Sequence, residues 1–102
     1  PTHASGALYN YLAPTERAAR PAGEWNSARL LLRGDNVEHW LNERLVLKYS
    51  FQSPELKAAL AAAERNSARL LEKLALRKTA IAFQHHESAA SFRDIRIVDL
   101  SA

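Results

Sequence analysis

The sequence predicts a mainly β protein: an antiparallel sheet with one amphipathic helix, amounting to about half of a larger sandwich. Three observations lead there. Short apolar runs with residues alternating between two faces are separated by tight polar turns. A single long stretch carries apolar residues three and four apart and opens with a helix-capping sequence. The order of elements, β-β-β-β-α-β-β, contains no βαβ alternation, so adjacent strands pair antiparallel.

The first strand is expected at Gly6 to Leu12, with Tyr9 and Tyr11 on one face and Leu8 and Leu12 on the other. Ala13 to Gly23, with two Pro and a Gly, reads as a surface loop. Glu24 to Arg33 forms the second strand and is closed by Gly34-Asp35-Asn36, residue types that tolerate left-handed backbone. Val37 to Leu41 and Leu45 to Phe51 flank Asn42-Glu43 as a β-hairpin. Ser53, Pro54 and Glu55 suit the cap, first position and first turn of a helix reaching about Arg77. Its apolar stripe runs through Leu56, Leu60, Ala63, Ser67, Leu70 and Leu74. Thr79 to His85 and Ser91 to Leu100 complete the set as strands. One helix covers only part of six strands, so the chain reads as one partial domain, residues 1–102, of a sandwich needing a second layer.

Composition narrows the function. With 47% hydrophobic and 25% charged residues, the chain has the make-up of a globular protein, not a disordered one. No apolar run approaches the roughly 20 residues that cross a bilayer. The absence of Cys removes disulfides, thiol catalysis and Cys-zinc sites. Although the net charge is +3, the basic excess sits between Glu64 and Lys78, away from the aromatics. That is not the interleaved pattern of a nucleic-acid module. The basic helix face reads as solvated, and no nucleic-acid partner is expected.

Alternation puts Glu38, Trp40 and Asn42 on one face of their strand, with Val37, His39 and Leu41 on the other. If Val37 and Leu41 face the core, Glu38 and Trp40 point outward. An indole stacking on sugar C–H faces beside a carboxylate accepting from hydroxyls is a sugar-binding pair. The plainer alternative is a core Trp and a solvated Glu. His39, turned inward, suits a structural hydrogen bond better than catalysis. If Ile81 and Phe83 face the core, Gln84 and His86 share the other face. There His86 is either a general base or metal ligand or one of a surface His pair. Tyr9 and Tyr11 line a sugar site or fill a core, the core being favoured. Arg93 is expected to pair with a carboxylate. Adjacent His85-His86-Glu87 is no metal signature, because neighbouring strand residues point to opposite faces.

A series of blocks carries a resemblance: Ser5-Gly6-Ala7-Leu8-Tyr9, Pro21-Ala22-Gly23-Glu24-Trp25-Asn26, Glu38-His39-Trp40-Leu41-Asn42, Ser53-Pro54-Glu55, Ile81-Ala82-Phe83-Gln84, His86, and Phe92-Arg93-Asp94-Ile95-Arg96-Ile97. In this order they resemble the C-terminal half of the 3-keto-disaccharide (3-keto-glycoside) hydrolase domain family, long a bacterial domain of unknown function. The resemblance covers nearly the whole chain. It implies a concanavalin A-like jelly roll, roughly twice this length, with sugar handled on a concave face. The chain differs at Glu43, where the family usually has Gly, and at Gln84-His85-His86-Glu87, where the family has Gln-Asp-His-Gly.

The resemblance implies a carbohydrate-processing hydrolase or lyase acting on keto-glycosides. His86, Glu38 and His39 are its candidate catalytic residues; Trp40, Asn42, Gln84 and Tyr9 are its candidate substrate-binding residues. A 3-keto group acidifies the neighbouring C2–H, so one base and one oxyanion stabiliser suffice to expel the C1 substituent, with water added later. No cofactor is predicted. A divalent metal stays open and would need His86 with ligands from other strands, such as Glu38 or residues before Pro1. The expected partners are a saccharide and the N-terminal half of the same domain, with oligomers left open and a periplasmic or secreted location implied. Two alternatives remain: a non-catalytic carbohydrate-binding module of the same fold, and a structural half-domain completed by another chain.

Overall fold

The computed structural model describes residues 1–8, 11–62, 73, 78, 80–84 and 87–100. Its centre is an antiparallel meander of β1 (Ala28–Arg33), β2 (Asn36–Leu41) and β3 (Arg44–Ser50), followed by α1 (Pro54–Ala62). Both turns follow from backbone chemistry. Gly34, at φ 60, takes the first central position of the β1–β2 turn, as a type II′ turn requires. Asn42 and Glu43 both have positive φ, 51 and 67, the signature of type I′. The first turn fixes the β1–β2 register, and the second fixes the β2–β3 register as far as Trp40, beyond which a bulge shifts it. Arg29, Leu31 and Arg33 stand opposite Trp40, Glu38 and Asn36, and Glu38 stands opposite Lys48 on its other side.

The ladder slips between His39 and Trp40, which pair with Leu47 and Leu45, leaving Val46 as a bulged residue on β3. The bulge explains why Val46 and Leu47 are both buried although strict alternation would separate them. It also frees the Val46 carbonyl, which accepts hydrogen bonds from the Thr15 backbone N–H at 2.7 Å and the Thr15 hydroxyl at 3.2 Å. The loop over 13–23 is therefore fastened along β3.

The core lies on the Val37 face. Val37, Phe51, Leu56 and Leu60 are buried together, with Leu8, Tyr11, Leu12 and Tyr49 packed around them. Leu56 and Leu60, four apart, bring one side of α1 onto the sheet. Ser53 caps the helix as expected, because a serine hydroxyl satisfies one of the backbone donors left free in the first turn. That hydroxyl accepts from the Leu56 N–H at 3.2 Å. The predicted extension of the helix towards Arg77 falls largely outside the described residues.

Three predicted strands are corrected. Gly6 to Leu12 is not extended, because Leu8 and Leu12 exchange two backbone hydrogen bonds of 3.0 Å and the segment folds back on itself. Residues 80–84 and 91–100 form no ladder, and 91–100 bends at Asp94, whose φ is 54. Ile81 and Phe83, expected in the core, are 72% and 54% exposed. An alternating run becomes a strand only where a neighbour takes its hydrogen bonds and a surface covers its apolar side. Among the described residues neither is offered to these segments.

Candidate functional site

The face of the sheet opposite the core carries the candidate chemistry. Glu38 and Trp40 are half-buried neighbours on β2, and the indole Nε1–H donates to Glu38 Oε1 at 2.8 Å. Both members of the predicted pair therefore point away from Val37 and Leu41. The hydrogen bond holds one carboxylate oxygen while the other keeps its acceptor capacity. The Arg29 guanidinium, directly opposite Trp40 on β1, lies over the indole with its carbon 4.5 Å from the ring centroid, a cation–π arrangement. A shallow depression of about 250 Å³ lies at this end of the face, lined by Ser27, Arg29, Trp40 and Glu43. A second, of about 240 Å³, adjoins Glu38 and is lined by Leu31, Arg33, Asn36, Glu38 and Lys48.

Alternation within β2 does not single out Arg29 or Glu43 as site residues, although a signal for Arg29 was there. Counting back from Gly34-Asp35 as a two-residue turn pairs Arg33 with Asn36, Leu31 with Glu38 and Arg29 with Trp40.

His39 belongs to the opposite face and to a different environment. Its Nδ1 lies 2.8 Å from the Gly6 carbonyl and its Nε2 lies 3.2 Å from the Tyr49 hydroxyl. A carbonyl only accepts, so Nδ1 carries the proton and Nε2 accepts from Tyr49. The two rings meet edge to face with centroids 5.4 Å apart, a favoured geometry for aromatic pairs. Burial holds the imidazole below its ordinary value of 6.5, partly opposed by the Gly6 carbonyl, and burial pushes the Tyr49 phenol up to about 12, since a low-dielectric setting disfavours the charged form of each. Both ring nitrogens are thus engaged away from Glu38, Nδ1 tying the N-terminal turn to the sheet and Nε2 joining β2 to β3. Gly6 is fitted to this contact: its φ is 91, and a Cβ there would lie 2.6 Å from Val46 Cγ2, so only glycine suits the position.

Asn42 closes the hairpin and fastens the preceding loop. Its amide donates to the Ala18 carbonyl at 2.7 Å and to Asn26 Oδ1 at 2.8 Å, while its Oδ1 accepts from the Ser27 N–H at 2.9 Å. Asn26 Oδ1 also accepts from the Arg20 N–H at 2.7 Å. The Pro21–Asn26 and Glu38–Asn42 blocks are therefore physically joined through their two Asn side chains. Arg44 and Glu16 add a bidentate pair along the same loop, both bonds 2.7 Å. Hydrogen bonding to the Arg44 guanidinium draws the Glu16 carboxyl below its ordinary value.

Gln84 is exposed in the unpaired stretch 80–84 and loses the strand register that set it beside His86. His86 and Tyr9 lie outside the described residues, and Tyr11 packs against the core. Arg93 approaches Asp94 at 3.6 Å, as a carboxylate partner predicts, and also lies over the Trp25 ring at 3.9 Å. Among the described residues no three His, Asp or Glu side chains converge as a metal-binding group, and no helix is long and apolar enough to cross a membrane.

Comparison with known proteins gives the fold and the family. The chain is similar to a crystal structure of a "putative glycosyl hydrolase" from Parabacteroides distasonis, with 31% sequence identity and a TM-score of 0.53. The match covers 57% of this chain and 27% of that one, so the chain spans little more than a quarter of its solved neighbour. An antiparallel three-stranded sheet with one helix is consistent with part of the expected jelly roll. No curated protein matches the chain. Residues 1–98 match the 3-keto-alpha-glucoside-1,2-lyase-like domain, and the chain belongs to that family.

Proposed function

We propose that the Glu38–Trp40 face is the saccharide surface of an enzyme that cleaves keto-glycosides. The observation that carries this is the 2.8 Å hydrogen bond joining an outward indole to an outward carboxylate beside two sugar-sized depressions. The indole supplies an apolar surface for pyranose C–H groups once the Arg29 guanidinium that lies over it swings aside, and that guanidinium then supplies donors for hydroxyl oxygens. Glu38 accepts a hydrogen bond from a hydroxyl or, for a 3-keto sugar, takes the proton from C2. The electron pair left at C2 delocalises onto the C3 carbonyl as an enolate, then returns to expel the C1 oxygen, which leaves as an alcohol once protonated. Water added at C1 completes a net hydrolysis. Arg29 over Trp40 and Lys48 opposite Glu38 are the cationic donors on this face that can stabilise the enolate oxygen. His39 has no part in these steps, since both of its nitrogens are engaged on the other face; His86 remains a candidate for the second acid-base role.

Leu30 on the outer strand β1 is 61% exposed. Among the described residues no strand pairs with the outer side of β1, and an apolar edge strand of this kind supports completion of the sandwich by further strands of the domain or of another chain. A periplasmic or secreted location belongs to the same proposal. The test is turnover of a 3-keto-disaccharide by the complete protein. Glu38→Gln should lower kcat by at least about 100-fold with folding intact, as expected for loss of a general base. Retained binding without turnover in the unaltered protein would instead favour a non-catalytic carbohydrate-binding module.

A further inference from the structure

The charge on this face is not balanced in the way a neutral sugar needs. Across the second depression, Lys48 stands directly opposite Glu38, and Arg33 stands opposite Asn36. Both cationic side chains are exposed, and among the described residues neither forms an ion pair. Arg29 adds a third cation over Trp40, against the carboxylates of Glu38 and Glu43. Leu31 gives the same depression an apolar patch between its charged walls.

Resting on the saccharide function proposed above, we infer that the Arg33–Lys48 depression is an anion subsite and that the substrates are acidic glycosides. The sugar unit on Trp40 is continued by a neighbouring unit whose carboxylate or sulfate lies between Arg33 and Lys48. The three groups are set for this by the register. Trp40, Glu38 and Asn36 follow one another on a single face of β2, about 6.6 Å apart at each step of two residues. A pyranose over Trp40 therefore leaves its neighbour over Glu38 and the basic pair. Arg33 offers a planar fork that binds two oxygens of one anion, and Lys48 offers a point charge beside it. A neutral sugar there would leave two cations facing one carboxylate.

Isothermal titration of the complete protein with two disaccharides tests this: one with a C6 carboxylate on the second hexose, the other its neutral C6-hydroxymethyl counterpart. A third ligand bearing a C6 sulfate separates a carboxylate site from a general anion site. The acidic disaccharide should bind about tenfold tighter at low salt, about 1.4 kcal/mol, with the advantage shrinking as salt rises. Arg33→Ala with Lys48→Ala should remove that advantage, bringing the affinities for the acidic and neutral disaccharides together. Tighter binding of the sulfate than the carboxylate would mark a sulfated sugar as the acidic glycoside. Equal affinities for acidic and neutral sugars, or an acidic preference that survives the double substitution, would overturn the inference while leaving the saccharide function intact. Binding of neither sugar would overturn both.

Discussion

Replacing Glu43 by Gly should stabilise the protein. Glu43 occupies the second position of the β2–β3 turn at φ 67, and it carries a Cβ in a region where an L-residue has unfavourable contact with its own backbone. That conformation costs about 1–2 kcal/mol for a residue with a Cβ and little for glycine. Against the gain stands the greater freedom of glycine in the unfolded chain, about 0.4–1 kcal/mol. Glu43 is exposed and has no hydrogen bond or ion pair among the described residues, so little else is lost. The net expectation is a gain of about 0.5–1 kcal/mol. In urea unfolding, with a slope of about 2 kcal/mol/M, the midpoint should rise by about 0.25–0.5 M at unchanged slope. Glu43→Ala keeps the Cβ and should give no such rise. An unchanged or lowered midpoint for the glycine variant, or an equal rise for the alanine variant, would refute backbone strain as the cause.

Other consequences can be checked on the same protein. Gly6→Ala should cost about 2 kcal/mol or more in urea unfolding, from overpacking and a disfavoured backbone together. The new methyl would lie 2.6 Å from Val46 Cγ2 at a φ of 91. Ser53→Ala should cost about 1 kcal/mol by removing the helix cap, and Ser53→Asp should restore most of it, again read by urea unfolding. His39 should make stability depend on pH. Its folded-state value lies below the ordinary 6.5, so the unfolded chain takes up the proton first as pH falls. Its contribution is complete above about 6.5 and declines below it. His39→Gln should flatten that part of the profile in denaturation at a series of pH values.

The β2–β3 hairpin was legible because Asn42-Glu43 dictates its turn, and Gly34-Asp35, taken as a two-residue turn, sets which side chains oppose each other across β1 and β2. The separation of Glu38 and Trp40 from Val37 and Leu41 followed from alternation alone. What alternation could not reveal was the bulge at Val46, which lets two consecutive residues be buried and opens a carbonyl to Thr15. The roles of Asn42 and His39 also depend on distant chain. Asn42 holds Asn26 and the Ala18 carbonyl, and His39 reaches back to Gly6, contacts no local pattern encodes. Thr79 to His85 and Ser91 to Leu100 misled for a related reason. Apolar alternation measures the capacity to form a strand, whereas pairing needs a neighbour.

The most direct measurement is a crystal structure of the complete protein with a disaccharide that it binds without turnover. The sugar is expected on the Trp40 face, one ring against the indole, with a hydroxyl within hydrogen-bond distance of Glu38. A sugar seated elsewhere, with Arg29 still over the Trp40 ring and Glu38 touching only the indole, would contradict the assignment of this face.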